Sequence, residues 1–164
     1  MQHRLSPPPE PKLMPLAIAL HLLAAIIWIG GMFFAYVCLR PSLPGILNPP
    51  QPAQLWQAVL GRFFRWVWAA IVVLFGTGLW MGATRYGALG EWPHWLLTMF
   101  GLGIAMVMMF MHIFFAPFKR LQAALASGEI EAAVRSIGQI RRLVAVNLCL
   151  GIVVAIVASA GPYL

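Results

Sequence analysis

Acidic side chains are nearly missing from this chain. Four of its 164 residues are Asp or Glu, against eleven Lys and Arg, and no carboxylate falls within a long apolar run. Hydrolysis by paired carboxylates, and a proton relay through Asp or Glu inside those runs, are therefore not expected. Charge of either sign is sparse at 9%, while 62% of residues are hydrophobic, which excludes an ordinary soluble domain. The two cysteines, Cys38 and Cys149, form no motif and sit inside apolar runs. They read as small buried hydrophobes and do not mark a redox compartment. There is no P-loop, no glycine-rich nucleotide fingerprint, no zinc-ligand spacing and no nucleophile elbow. The net charge of +7 would point to nucleic acid in a soluble protein. Here the basic residues border the apolar runs, so they set orientation and no nucleic-acid partner is expected.

What the chain has instead is long apolar sequence. Pro15 to Arg40 (PLAIALHLLAAIIWIGGMFFAYVCLR) exceeds the roughly 20 apolar residues that cross a bilayer as a helix. It is too long for a signal-peptide core and shows no small-residue cleavage site, so an uncleaved span is expected. Stepping from His21 by threes and fours gives Ala25, Trp28, Gly31 or Met32, Ala35 and Cys38, a face of mostly small residues. Small residues let helices approach closely in lipid, so His21 is expected to look inward.

The remaining spans follow from the same pattern. Expected spans cover about residues 15–39, 66–83, 93–118 and 143–160, an all-α integral membrane protein folded as a four-helix up-down bundle. Residues 1–13, with a Pro-Pro-Pro run, read as a disordered tail, and 14–162 as a single membrane domain. The first connection, Pro41 to Gln54, has five prolines and cannot continue a helix, so it reads as a connection of limited flexibility. Leu55 to Arg65 reads as an interfacial lead-in to the second span, and Arg85 to Trp92 as a short turn. In the third connection Ser127 is expected to cap a short amphipathic helix whose stripe is Ile130, Val134, Ile137 and Ile140, lying on the membrane surface.

Orientation comes from counting Lys and Arg beside the spans. The tail and second connection carry three (Arg4, Lys12, Arg85); the first and third connections carry the other eight. The excess predicts both termini outside, which in a bacterial inner membrane means periplasmic.

Polar groups then fall into two depth groups. His21 lies near the outer end with His94, Met81 and Met99; His112 lies near the inner end with Asn147, and Arg40, Arg65 and Arg142 nearer the interface. On the third span His94, Thr98, Gly101, Ala105, Met108 and His112 recur every three or four residues, with the two imidazoles about 27 Å apart along one face. Ionisable side chains within a bilayer are costly and mark functional sites by default. Imidazole with thioether suits copper(I), making His21, His94, Met81, Met99, Met108 and His112 candidate metal ligands. His21 and His112 differ in depth by roughly 16 Å, which excludes them as opposed ligands of one haem. A haem with one histidine ligand stays open, with His21, His112, Trp28, Arg40, Arg65, Arg142 and Asn147 as its candidate contacts.

The order of HLLAAIIWIGGMFFAYVCLRPSL, GRFFRWVWAAIVVLFGTGLWMG and IRRLVAVNLCLGIVVAIVA resembles the membrane domain of the copper resistance protein D family. The likeness rests on a first-span histidine, W-x-G-G, an L-R-P exit, an R-F-x-R entry and T-G-L. It implies a four-helix unit of copper uptake or resistance in the bacterial inner membrane, and points to His21, Trp28, Gly30, Gly31, Arg40, Arg62, Arg65, Thr77 and Gly78. Larger relatives carry more spans, so a second copy of the chain or a periplasmic copper protein is the partner implied, besides the lipid bilayer and the copper ion. More distantly the chain is similar to the four-helix bacterial protoporphyrinogen oxidase family, which implies haem b and a membrane oxidoreductase. It departs from that family where Asn147 is followed by Leu148 and Cys149 instead of glutamate and proline. The expectation is therefore a copper-handling protein that is not an enzyme. The alternatives are a haem-dependent membrane oxidoreductase and an accessory subunit of a membrane complex.

Overall fold

In hydrocarbon every backbone N–H and C=O must be satisfied inside its own segment, so apolar runs of this length close as helices. The computed structural model describes residues 13–43, 46, 48 and 51–163. It has four helical segments long and apolar enough to cross a membrane: Met14–Ser42, Gln51–Tyr86, His94–Ala126 and Ile130–Tyr163. We label the helices α1 (Met14–Ser42), α2 (Gln51–Tyr86), α3 (His94–Phe115), α4 (Pro117–Ala126) and α5 (Ile130–Ala160). The described residues contain no strand. The protein is all-α, an up-down bundle of four spans with a short amphipathic helix in the third connection. The tail expected over residues 1–13 falls, up to residue 12, outside the described residues, as does part of the first connection.

The helices run longer than hydropathy alone predicts. α2 begins at Gln51, so the stretch expected as an interfacial lead-in is continuous with the second span, and Pro52 is tolerated in its first turn. Its 36 residues extend about 54 Å, beyond the ~30 Å of a hydrocarbon core. The excess length packs against α4 and the first turns of α5. Leu121 and Ala133 are fully buried there, beside Leu60, Phe118 and Ile140. The bundle thus continues past its apolar region as a helical extension.

The third connection differs in detail from the expectation. Its amphipathic helix is α4, over Pro117–Ala126, and Ser127 closes that helix instead of opening the next one, its Oγ–H within reach of the Ala123 and Ala124 carbonyls. The break before it comes at Ala116, at φ −110° and ψ −84°, immediately before a proline that has no N–H to continue α3. Gly128, at φ 75°, turns the chain into α5, which runs unbroken from Ile130 into the fourth span. Of the stripe expected on the membrane surface, Ile140 is buried and Ile137 packs against the core, with α5 lying on α4, while Val134 is exposed.

α1 lies directly on α2, and α5 on α3 and α4. Rings fill much of the contact between these halves, beside aliphatic contacts such as Ile29 against Gly151. Phe64 of α2 meets Phe110, Phe114 and Phe118 edge-on at centroid distances of 5.4, 6.0 and 4.9 Å, and Trp28 and Trp68 both point their rings at Phe110. Edge-to-face packing adds directional attraction to the burial of these side chains.

α1 also contains two π-helical stretches, Ile26–Gly30 and Phe34–Leu39. Their wider turns shift the inward face, which runs Met14, Ala17, Ala24, Trp28, Met32 and Ala35 and leaves Cys38 exposed. Cys149 of α5 is also exposed, so both thiols lie on the outside of the bundle and are not the buried hydrophobes expected.

Candidate functional site

A threonine within a membrane helix satisfies its hydroxyl locally, by donating to a carbonyl one turn back. Thr77 of α2 does this, its Oγ1–H donating to the Val73 carbonyl at 2.6 Å. With its proton so engaged, Oγ1 is left to accept, and His21 Nδ1 lies 2.8 Å away. Hydrogen-bond logic therefore assigns a proton to Nδ1, and in the neutral tautomer so defined Nε2 carries the lone pair. A histidine held through one nitrogen by an outer partner, with the other available, is the arrangement used for metal ligation. Gly78 completes the seat: a Cβ there would come within 3.2 Å of His21 Cε1, so a side chain would press on the ring.

His21 opens onto a cavity of about 100 Å³ to which α1, α2, α3 and α5 all contribute. Its walls are almost wholly apolar. Trp28, Trp92 and Phe100 supply rings, and Met99 and Met106 supply thioethers. Trp92, in the connection after α2, is buried and fixed by Nε1–H donating to the Gly87 carbonyl at 3.3 Å and by edge contact with Phe100. Met106 is 3% exposed, and its methyl group reaches the space left by Gly151 on α5.

The structure brings together some of the sequence-predicted residues and separates others. His21, Trp28 and Met99 share the cavity. Met81 is half-buried on α2 but does not line it. His94, Met108 and His112 are exposed, as are Thr98, Gly101 and Ala105 between them. The regular face that carries both imidazoles is the outward face of α3. Its buried face is the next one round, Leu96, Met106, Phe110 and Ile113. Period fixes which residues share a face; the neighbouring helices decide which face is covered. Met108 and His112 therefore do not lie in the interior of one copy, whereas Met109 packs against the core. Met106, seven residues after Met99 and so on the same face, lines the cavity too, although it is not among the candidate ligands named from the sequence.

The inner-end candidates are scattered too. Asn147 is 1% exposed, and its Oδ1 has no hydrogen-bond partner, but it does not line the cavity. Arg65 and Arg142 are exposed, and Arg40 stacks over the Tyr36 ring at 5.0 Å. Among the described residues no group of three or more His, Cys, Asp or Glu side chains is arranged to hold a metal. The site is thus one imidazole with thioethers.

The family model for copper resistance protein D matches residues 57–160. The chain belongs to the copper resistance protein D family. No curated protein and no solved structure matches it. The matched segment contains Thr77, Gly78, Trp92, Met99 and Met106 and lies C-terminal to His21. Imidazole and thioether are donor types that suit copper(I), and both line this cavity. The cavity of about 100 Å³ is below the ~300 Å³ at which sites for larger organic ligands begin, and His112 lies outside it, so this cavity lends no support to a porphyrin.

Proposed function

We propose that this family member handles copper(I) within the bilayer, with His21 Nε2 as the principal donor and the sulfurs of Met99 and Met106 as the softer ones. The observation that carries the reading is the ordered chain Val73 carbonyl, Thr77 hydroxyl, His21 Nδ1, which leaves Nε2 free on an imidazole lining an apolar cavity that also holds two thioethers. Copper(I) is the cargo. A cavity without carboxylates disfavours hard divalent cations, and the aromatic walls keep water from competing for the ion. The reading places residues 14–162 as one domain in a bacterial inner membrane, with the termini periplasmic by the excess of basic residues on the other side. Uptake or tolerance is the expected role, and no catalytic residue is assigned.

Copper content of the purified protein, loaded with copper(I) under reducing conditions, tests this directly. His21→Ala should abolish stoichiometric binding and the copper-dependent phenotype of cells while insertion into the membrane is unchanged. Equal copper content and unchanged accumulation in that variant would overturn the reading.

The outward face of α3 supports a second reading, that of a subunit of a membrane complex. His94 and His112 stand exposed on it, and an imidazole at hydrocarbon depth is costly unless something partners it. A stoichiometric partner recovered with metal-free protein would favour this reading over the first.

A further inference from the structure

A second cavity, of about 70 Å³, lies away from His21 between the end of α1, the start of α2 and the middle of α5. Two guanidinium groups flank it, Arg40 from α1 and Arg141 from α5. Among the described residues neither is paired with a carboxylate, and Glu131 is bound to Arg135 on the surface. Arg40 is half-buried and held over the face of Tyr36, which orients its fork, and the Trp56 ring lines the same cavity. Its remaining walls are aliphatic, Leu60 and Ile140 among them, both 3% exposed. Arg40 ends the apolar run of α1, which puts this basic rim at headgroup depth with apolar walls beside it.

We propose that this cavity binds the phosphate of an anionic phospholipid, clamped between Arg40 and Arg141. Guanidinium pairs match phosphate oxygens with bidentate hydrogen bonds, and basic pockets between membrane helices select anionic headgroups. The volume takes a headgroup phosphate and the start of a chain, and the acyl tails run out along the exposed apolar surface of the bundle. A bound lipid would tie α1, α2 and α5 together where the apolar bundle passes into its helical extension. The inference stands independently of copper.

The test is native mass spectrometry and thermal unfolding of the full chain in detergent, titrated with phosphatidylglycerol, phosphatidylcholine or inorganic phosphate. The wild type should retain one phosphatidylglycerol and unfold at a higher temperature in its presence. Arg40→Gln/Arg141→Gln should lower that affinity by roughly tenfold or more, from the loss of charged hydrogen bonds. Arg62→Gln/Arg65→Gln, which removes two guanidiniums outside the cavity, should keep it. Arg141 is exposed, so Arg141→Gln alone tests the site without disturbing a buried side chain, and it should weaken binding in the same direction. Equal binding by the wild type and both Arg141 variants would overturn the proposal. So would an equal stabilisation by phosphatidylcholine, and one reproduced by inorganic phosphate would mean a site for a free anion instead of a lipid.

Discussion

At the scale of single residues, the seat of His21 depends on a hydroxyl that has only one proton to give. Thr77 gives it to the Val73 carbonyl, so its oxygen is committed to Nδ1 of the imidazole. Thr77→Val keeps the shape and removes the acceptor. The expected result is a roughly 10- to 100-fold loss of copper(I) affinity, the usual cost of removing an outer partner of a ligating histidine. Competition titration against a copper(I) chelator measures it, with helicity by circular dichroism as the control. Undiminished affinity would mean that the hydrogen bond has no part in holding the ligand. Of the residues involved, His21 was legible in the sequence because an imidazole in an apolar run is rare and costly. The tautomer was not, since it depends on a residue 56 positions away.

At the scale of elements, the turn between α4 and α5 decides where the fourth span begins. α4 ends with Ser127 bonded back to its own last turn, and Gly128 at φ 75° reverses the chain so that Glu129 N–H reaches the Ala124 carbonyl at 2.8 Å. A left-handed conformation strains any residue with a Cβ by about 1–2 kcal/mol. Gly128→Ala should therefore lower stability by about that amount, read from the unfolding midpoint in detergent, with copper binding retained because His21 lies elsewhere. The amphipathic helix of this connection was legible as a kind of element, but its position was not. A stripe at Ile130, Val134, Ile137 and Ile140 has the same period whether it rests on lipid or on α4, and only part of it, Ile137 and Ile140, is packed against the core. The proline at 117 and the glycine at 128 are the local signals that set the actual boundaries.

At the scale of the whole molecule, the bundle separates its histidines into one that looks in and others that look out. If the interior cavity carries the copper, the outward face contributes nothing to binding by a single copy. His112→Ala should then leave the copper content of the purified protein unchanged where His21→Ala abolishes it, by metal analysis of matched samples. A parallel loss in both variants would show that copper bridges to the outer face.

The sequence by itself determined the number of spans, their helical nature and the membrane environment, because these depend on the length and polarity of continuous segments. It also singled out His21 and Met99. Only the tertiary structure decided that Met106 joins them and that His94, Met108 and His112 do not. A helical period repeats on every side of the cylinder, and in a chain this apolar hydropathy does not distinguish a face against lipid from a face against another helix. That choice is made by contacts between segments distant in the chain, such as Gly151 receiving Met106 and Gly78 receiving His21.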